Sequence, residues 1–131
     1  MRGIRRTALA VIFSSLGFID AAVATDTDLQ TLLSQCYDTS KPENQAFCAG
    51  RVTGVFQMML YNGLALTHGE GTKLLSSCVS DEYPTKEDQL AVFLKWANSH
   101  PEDWSTKNPN YSETADVLGI VYALREAWPC Q

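Results

Sequence analysis

Glu43-Asn44-Gln45-Ala46-Phe47-Cys48-Ala49-Gly50-Arg51-Val52-Thr53-Gly54-Val55-Phe56-Gln57-Met58-Met59-Leu60 carries the longest helical pattern in the chain. Phe47, Val52, Val55, Phe56, Met59 and Leu60 return at three- and four-residue intervals, the mark of one buried helix face. The spacing predicts a helix from about Glu43 to Thr67, interrupted at Gly69-Glu70-Gly71. Ala46, Gly50 and Gly54 recur every four residues and predict a smooth stripe for close helix packing. Glycine inside a helix costs about 1 kcal/mol relative to alanine, so two of them imply a packing reason.

The same period extends outward in both directions. Leu29, Leu32, Leu33 and Cys36 fall at i, i+3, i+4 and i+7, with Asp26 or Thr27 as the expected cap. Asp38 to Pro42 breaks that helix, and the stretch from Cys78 to Pro84 reads as irregular. Thr85 followed by acidic residues opens a third helix bearing Leu90, Phe93, Leu94 and Ala97, which stops before Pro101. Ser112-Glu113 opens a fourth, with Leu118, Val121, Tyr122 and Leu124, ending at Pro129-Cys130. No alternating strand pattern exceeds a few residues. The expected fold is all-α: a compact four-helix up-and-down bundle.

Helix order selects the cysteine pairing. Cys36 and Cys48 lie where the first helix hands over to the second, and Cys78 and Cys130 lie at the opposite pole. Exchanging partners would mean spanning a helix of roughly 22–30 Å at 1.5 Å per residue. A disulfide tolerates about 7 Å between Cα atoms. The expected bridges are therefore Cys36–Cys48 and Cys78–Cys130.

Disulfides require an oxidising compartment, and the first residues supply the route. Arg2, Arg5 and Arg6 precede an apolar run from Ala8 to Ile19, followed by Ala22-Val23-Ala24. Roughly a dozen apolar residues are too few to cross a bilayer, which takes about 20. The pattern is that of a secretory signal peptide over residues 1–24, leaving one domain at 25–131. The leader holds three of ten basic and one of fifteen acidic residues, so seven basic face fourteen acidic in the domain, a net charge of −7. That balance disfavours nucleic acid and anionic membrane as partners and leaves basic proteins open.

A search for chemistry finds no enzyme. Thiol catalysis needs a free thiolate beside an imidazole, and all four cysteines are committed to bridges. His68 and His100 sit at helix ends, where capping is the simpler role. No C-x-x-C pair offers zinc or haem attachment, and no metal or other cofactor is expected. What remains is aromatic side chains among acids in two loops: Tyr83 beside Asp81 and Glu82, then Trp104 and Tyr111 with Glu102 and Asp103. Loop aromatics of this kind anchor protein interfaces, or else fold back over the end of the bundle.

Cys48-Ala49-Gly50-Arg51-Val52-Thr53-Gly54 after Cys36, Gln89-Leu90 opening a helix that closes on His100-Pro101-Glu102, and Ala123-Leu124-Arg125-Glu126-Ala127-Trp128-Pro129-Cys130 at the end form an ordered set. From Leu29 to Cys130 the chain resembles the Rap/Tai family of type VI secretion immunity proteins. The chain departs from that family at Arg51, where an aromatic is more usual, at Ser80, which stands for a proline, and at Asp103 to Tyr111, an insertion. The resemblance implies a periplasmic protein that occludes a secreted peptidoglycan amidase of the cysteine peptidase type. It also implies pairing as a homodimer. The alternative for the same fold is a periplasmic stress chaperone or another protein-binding module, whereas the bulky core residues weigh against a hollow ligand carrier.

Overall fold

The computed structural model describes residues 27–63, 65–67, 76–79 and 83–130. Residues 1–26, which include the expected leader, and the segment holding His68 and Gly69-Glu70-Gly71 lie outside the described residues, as do Ser80, Asp81 and Glu82. Four helices carry the fold: α1 (Leu29–Tyr37), α2 (Pro42–Tyr61), α3 (Lys86–Ser99) and α4 (Asp116–Ala127). Between α2 and α3, β1 (Ala65–Thr67) and β2 (Ser77–Val79) pair in parallel, with Leu66 opposite Cys78.

Local chemistry sets the helix starts. The Asp28 carboxylate, rather than Asp26 or Thr27, caps α1 by accepting the Thr31 N–H at 2.6 Å. α3 begins with a capping box, in which Thr85 Oγ1 accepts from Asp88 N while Asp88 Oδ2 accepts from Thr85 N, both at 3.1 Å. α4 begins at Asp116 and not at Ser112, because the chain first pairs with the start of α1: Leu29 N donates to Thr114 O and Asp116 N to Thr27 O, each at 3.1 Å.

α2 is shorter than its periodicity suggests. Asn62-Gly63 stops it: Gly63 takes φ +63°, a left-handed conformation natural to glycine, and Asn62 Nδ2 donates to Met58 O at 2.7 Å. The residues to Thr67 then enter β1 rather than a last helical turn, and Cys78 lies in β2 rather than an irregular stretch. β2 also holds the chain end, since Cys78 N donates to Trp128 O at 2.7 Å and Ser77 bridges Pro129.

One core joins all four helices. Leu29, Leu32 and Leu33 meet Val52, Phe56 and Met59 of α2, Phe93 and Ala97 of α3, and Ile120 and Leu124 of α4, all essentially inaccessible. Each such large side chain contributes about 1.5–3 kcal/mol by leaving water. Gly119 permits the closest approach: a Cβ built there would lie 2.7 Å from Leu29 Cδ2 and 2.8 Å from Cδ1. The bridges form as expected, Cys36–Cys48 with Cα atoms 5.2 Å apart and Cys78–Cys130 with 4.9 Å. In the chain-entropy account they stabilise by about 3 and about 4 kcal/mol.

The small-residue stripe faces the other way. Ala46, Gly50 and Gly54 are exposed, and a Cβ added at either glycine would meet nothing within 4 Å. Phe47, placed on the buried side by its spacing, is 50% exposed, and Leu118 of α4 is 40% exposed. The cause is Cys48: its bond to buried Cys36 rotates α2 so that Cys48, Val52, Val55, Phe56 and Met59 point inward. At about 100° per residue the Ala46–Gly50–Gly54 row falls nearly opposite.

Candidate partner-binding face

Glu102 and Asp103 lie in a single 3-10 turn, Pro101–Asp103, immediately beyond α3. The loop that follows is tied down along its length. Ser105 N donates to Pro101 O at 2.8 Å, Tyr111 N to Asn108 O at 3.1 Å, and Ser112 N returns to Glu102 O at 2.8 Å. Thr114 Oγ1 donates to Asp103 Oδ1 at 3.2 Å. A loop so braced presents its side chains with little ordering cost on binding.

The loop aromatics divide by role. The Trp104 indole N–H donates to Ala97 O at 2.7 Å and its ring packs on the core, so Trp104 braces the loop against α3. Tyr111 is half-buried, and its phenol is held above the ordinary value by desolvation, with repulsion from Glu113 and Asp28 adding to it. Tyr83 is 49% exposed and sets its ring edge-on to Phe56 at 6.2 Å. Glu102, Asp103, Trp104 and Tyr111 therefore share one loop, while Tyr83 sits at the far end of α3, a helix of about 21 Å. The two loop clusters are not one patch.

What connects them is the seam between α3 and α4. Three open cavities of about 550, 280 and 470 Å³ follow one another along it. The first begins at Tyr83 and shares Val92 and Trp128 with the second, which shares Trp96 and Glu126 with the third, and the third ends at Asp103. Trp96, His100, Tyr122, Arg125, Glu126 and Trp128 belong to this face although the sequence reading did not single them out for binding. Trp96 and His100 stand four apart, and their rings stack at 4.8 Å and 18°. That i, i+4 aromatic pair at a helix end was the available signal.

All four cysteines are oxidised, and among the described residues no group of three His, Cys, Asp or Glu side chains is placed to hold a metal ion. Among the described residues the more buried ion pair is structural. Arg51 Nε and a terminal nitrogen grip Asp116 Oδ2 and Oδ1 at 2.7 and 3.0 Å, clipping α2 to the start of α4. Arg51, unusual by the resemblance, thus has a defined task. Among the described residues no helix is long and apolar enough to cross a membrane.

No curated protein and no solved structure matches the chain. The family model described as Rap1a immunity proteins matches residues 28–130, from the cap of α1 to the last cysteine. With the matched region covering both bridges and all four helices, the chain belongs to the Rap1a immunity protein family.

Proposed function

We propose that this protein is a periplasmic immunity protein that binds a type VI secreted peptidoglycan amidase of the cysteine peptidase type and covers its cleft. It is an inhibitor with no catalysis of its own. The family match across residues 28–130 carries this reading. The braced loop supports it, with Glu102, Asp103 and Tyr111 at one end of the α3–α4 seam and Tyr83 at the other. The leader at residues 1–24 would deliver the chain to the compartment where such an amidase acts, and the two bridges suit it. Asp81 and Glu82 adjoin Tyr83 in sequence. The test is protection: cells receiving the amidase in their periplasm survive with the intact gene and lyse when codons 2–24 are removed. Lysis in both cases rejects the reading.

The exposed face of α2 supports a homodimer. Its positions are symmetric about Gly54, so an antiparallel second copy would set Gly54 on Gly54, Met58 over Gly50 and Tyr61 against Phe47. From Asn44 to Tyr61 the only charged residue is Arg51, already committed to Asp116, so two acidic chains can meet there without charge repulsion. The same exposed Phe47, Met58 and Tyr61 favour the second reading, a stress chaperone. Pull-downs from periplasmic extract at neutral and acid pH separate the two: one stoichiometric partner fits immunity, and many clients released on neutralisation fit a chaperone.

A further inference from the structure

The cavity at the Asp103 end of the seam has an uneven supply of donors and acceptors. The Trp96 carbonyl can only accept, so the His100 nitrogen 3.0 Å from it, Nδ1, carries the hydrogen. In the neutral ring Nε2 is then a lone pair, and it faces Glu126 Oε2, a second acceptor, at 3.5 Å. Asp103 also lines the cavity, with one oxygen engaged by Thr114 and the other without a partner among the described residues. The Tyr122 ring completes the wall. Arg125 lines the cavity too but makes no ion pair with either carboxylate among the described residues. The space of about 470 Å³ is therefore lined by two carboxylates, the His100 imidazole and Tyr122, with one Asp103 oxygen that a donor would satisfy.

The geometry points to this cavity as the seat of a basic side chain, arginine above all, projecting from the partner that docks along the α3–α4 seam. The assignment rests on the proposed inhibitory function and adds the chemistry of the anchor. A guanidinium offers five N–H groups in a plane, which suits a cavity lined by the Glu126 and Asp103 carboxylates, the His100 ring and Tyr122. Charge favours it over an acid, because two carboxylates outweigh Arg125 and the whole domain is acidic. Arg125 acts as a local opponent that a partner cation must outweigh, which makes the seat selective for a donor able to reach several acceptors.

The cavity can be tested without the amidase. The disulfide-bonded protein, labelled for NMR at the tryptophan indole and histidine ring positions, is titrated with N-acetylarginine amide, N-acetylnorleucine amide and N-acetylglutamine amide at pH 8, where an ordinary imidazole is neutral. Saturable movement of the Trp96 and His100 signals is expected with the arginine probe only. Asp103→Asn with Glu126→Gln should weaken it at least fivefold, and Arg125→Gln should tighten it at least twofold. Equal movement with the other two probes, indifference to the double substitution, or no movement at 50 mM arginine probe overturns the assignment. The titration is independent of inhibition: a responsive cavity in a chain that leaves the amidase active rejects the immunity reading alone. An unresponsive cavity in a chain that inhibits rejects the anchor alone.

Discussion

Three glycine-to-alanine substitutions should move stability in opposite directions. Gly50 and Gly54 lie in the interior of α2 with open space where a Cβ would go. Alanine there gains helix propensity and restricts the unfolded chain, a benefit of about 0.5–1 kcal/mol each. Gly119 in α4 has a similar propensity debt, but its Cβ would sit 2.7 and 2.8 Å from the two methyl carbons of Leu29. Leu29 is fully buried, and because both branches are in the way no rotation of one clears the other. Overpacking of this kind costs about 1–3 kcal/mol, and with the propensity gain set against it Gly119→Ala is left up to about 2.5 kcal/mol less stable than the parent. For a domain this size, 1 kcal/mol corresponds to about 4–8 °C in Tm. Urea unfolding at sub-micromolar protein, a concentration chosen to disfavour self-association, reads all three. Gly50→Ala and Gly54→Ala should raise the midpoint and Gly119→Ala should lower it. A lowered midpoint for Gly50→Ala, or none for Gly119→Ala, would refute the orientation given to α2 and α4. At higher concentration Gly54→Ala should also weaken self-association, by separating the two helices at their crossing.

Arg51→Met should cost about 2–4 kcal/mol, less than a wholly buried pair because Arg51 keeps 29% of its surface exposed, since it strands the inaccessible Asp116 carboxylate. A double-mutant cycle with Asp116→Asn should return a coupling above about 1 kcal/mol. Replacing Cys78 and Cys130 by alanine should cost more stability than replacing Cys36 and Cys48, because the loop closed is 52 residues against 12. Asp38 is held below the ordinary carboxylate value, chiefly by the Ser40 hydroxyl and then by Asn44. A depressed folded value means its contribution is present above the ordinary carboxylate range and lost as pH falls through it, so Asp38→Asn should flatten the acid limb of a stability–pH curve. The Tyr37 phenol, raised by burial and donating to Asn98 Oδ1 at 2.9 Å, contributes below about pH 10 and loses that contribution as pH rises further. Tyr37→Phe should therefore lessen alkaline destabilisation.

The helices were legible because their cores repeat. Leu29, Leu32, Leu33 and Cys36 are all buried as their spacing requires, and Thr85 caps α3. The bridges followed, since a helix's length forbids the other pairings. The orientation of α2 was harder to read, because the helix is apolar or small on nearly every side and Phe47 fits a helical period either way. Only Cys48, tied to Cys36, marks the inward direction. The strands escaped notice because each is three residues long and held by a parallel partner ten or more residues away, which leaves no local alternation. Asn62-Gly63 was the overlooked signal that α2 ends early. For the binding face, composition pointed to the loop acids and aromatics but could not tell a strut from a contact. Trp104 spends its N–H on Ala97, a fact that belongs to tertiary geometry. The α3–α4 groove depends on which side chains line a seam, and no single segment encodes that.

The central claim, inhibition by one-to-one occlusion, is met most directly by titrating the purified disulfide-bonded protein into the secreted peptidoglycan amidase it is proposed to bind while following release of peptidoglycan stem fragments. Hydrolysis should fall linearly and stop at one inhibitor chain per enzyme. Undiminished hydrolysis at a tenfold excess of the protein would contradict the account.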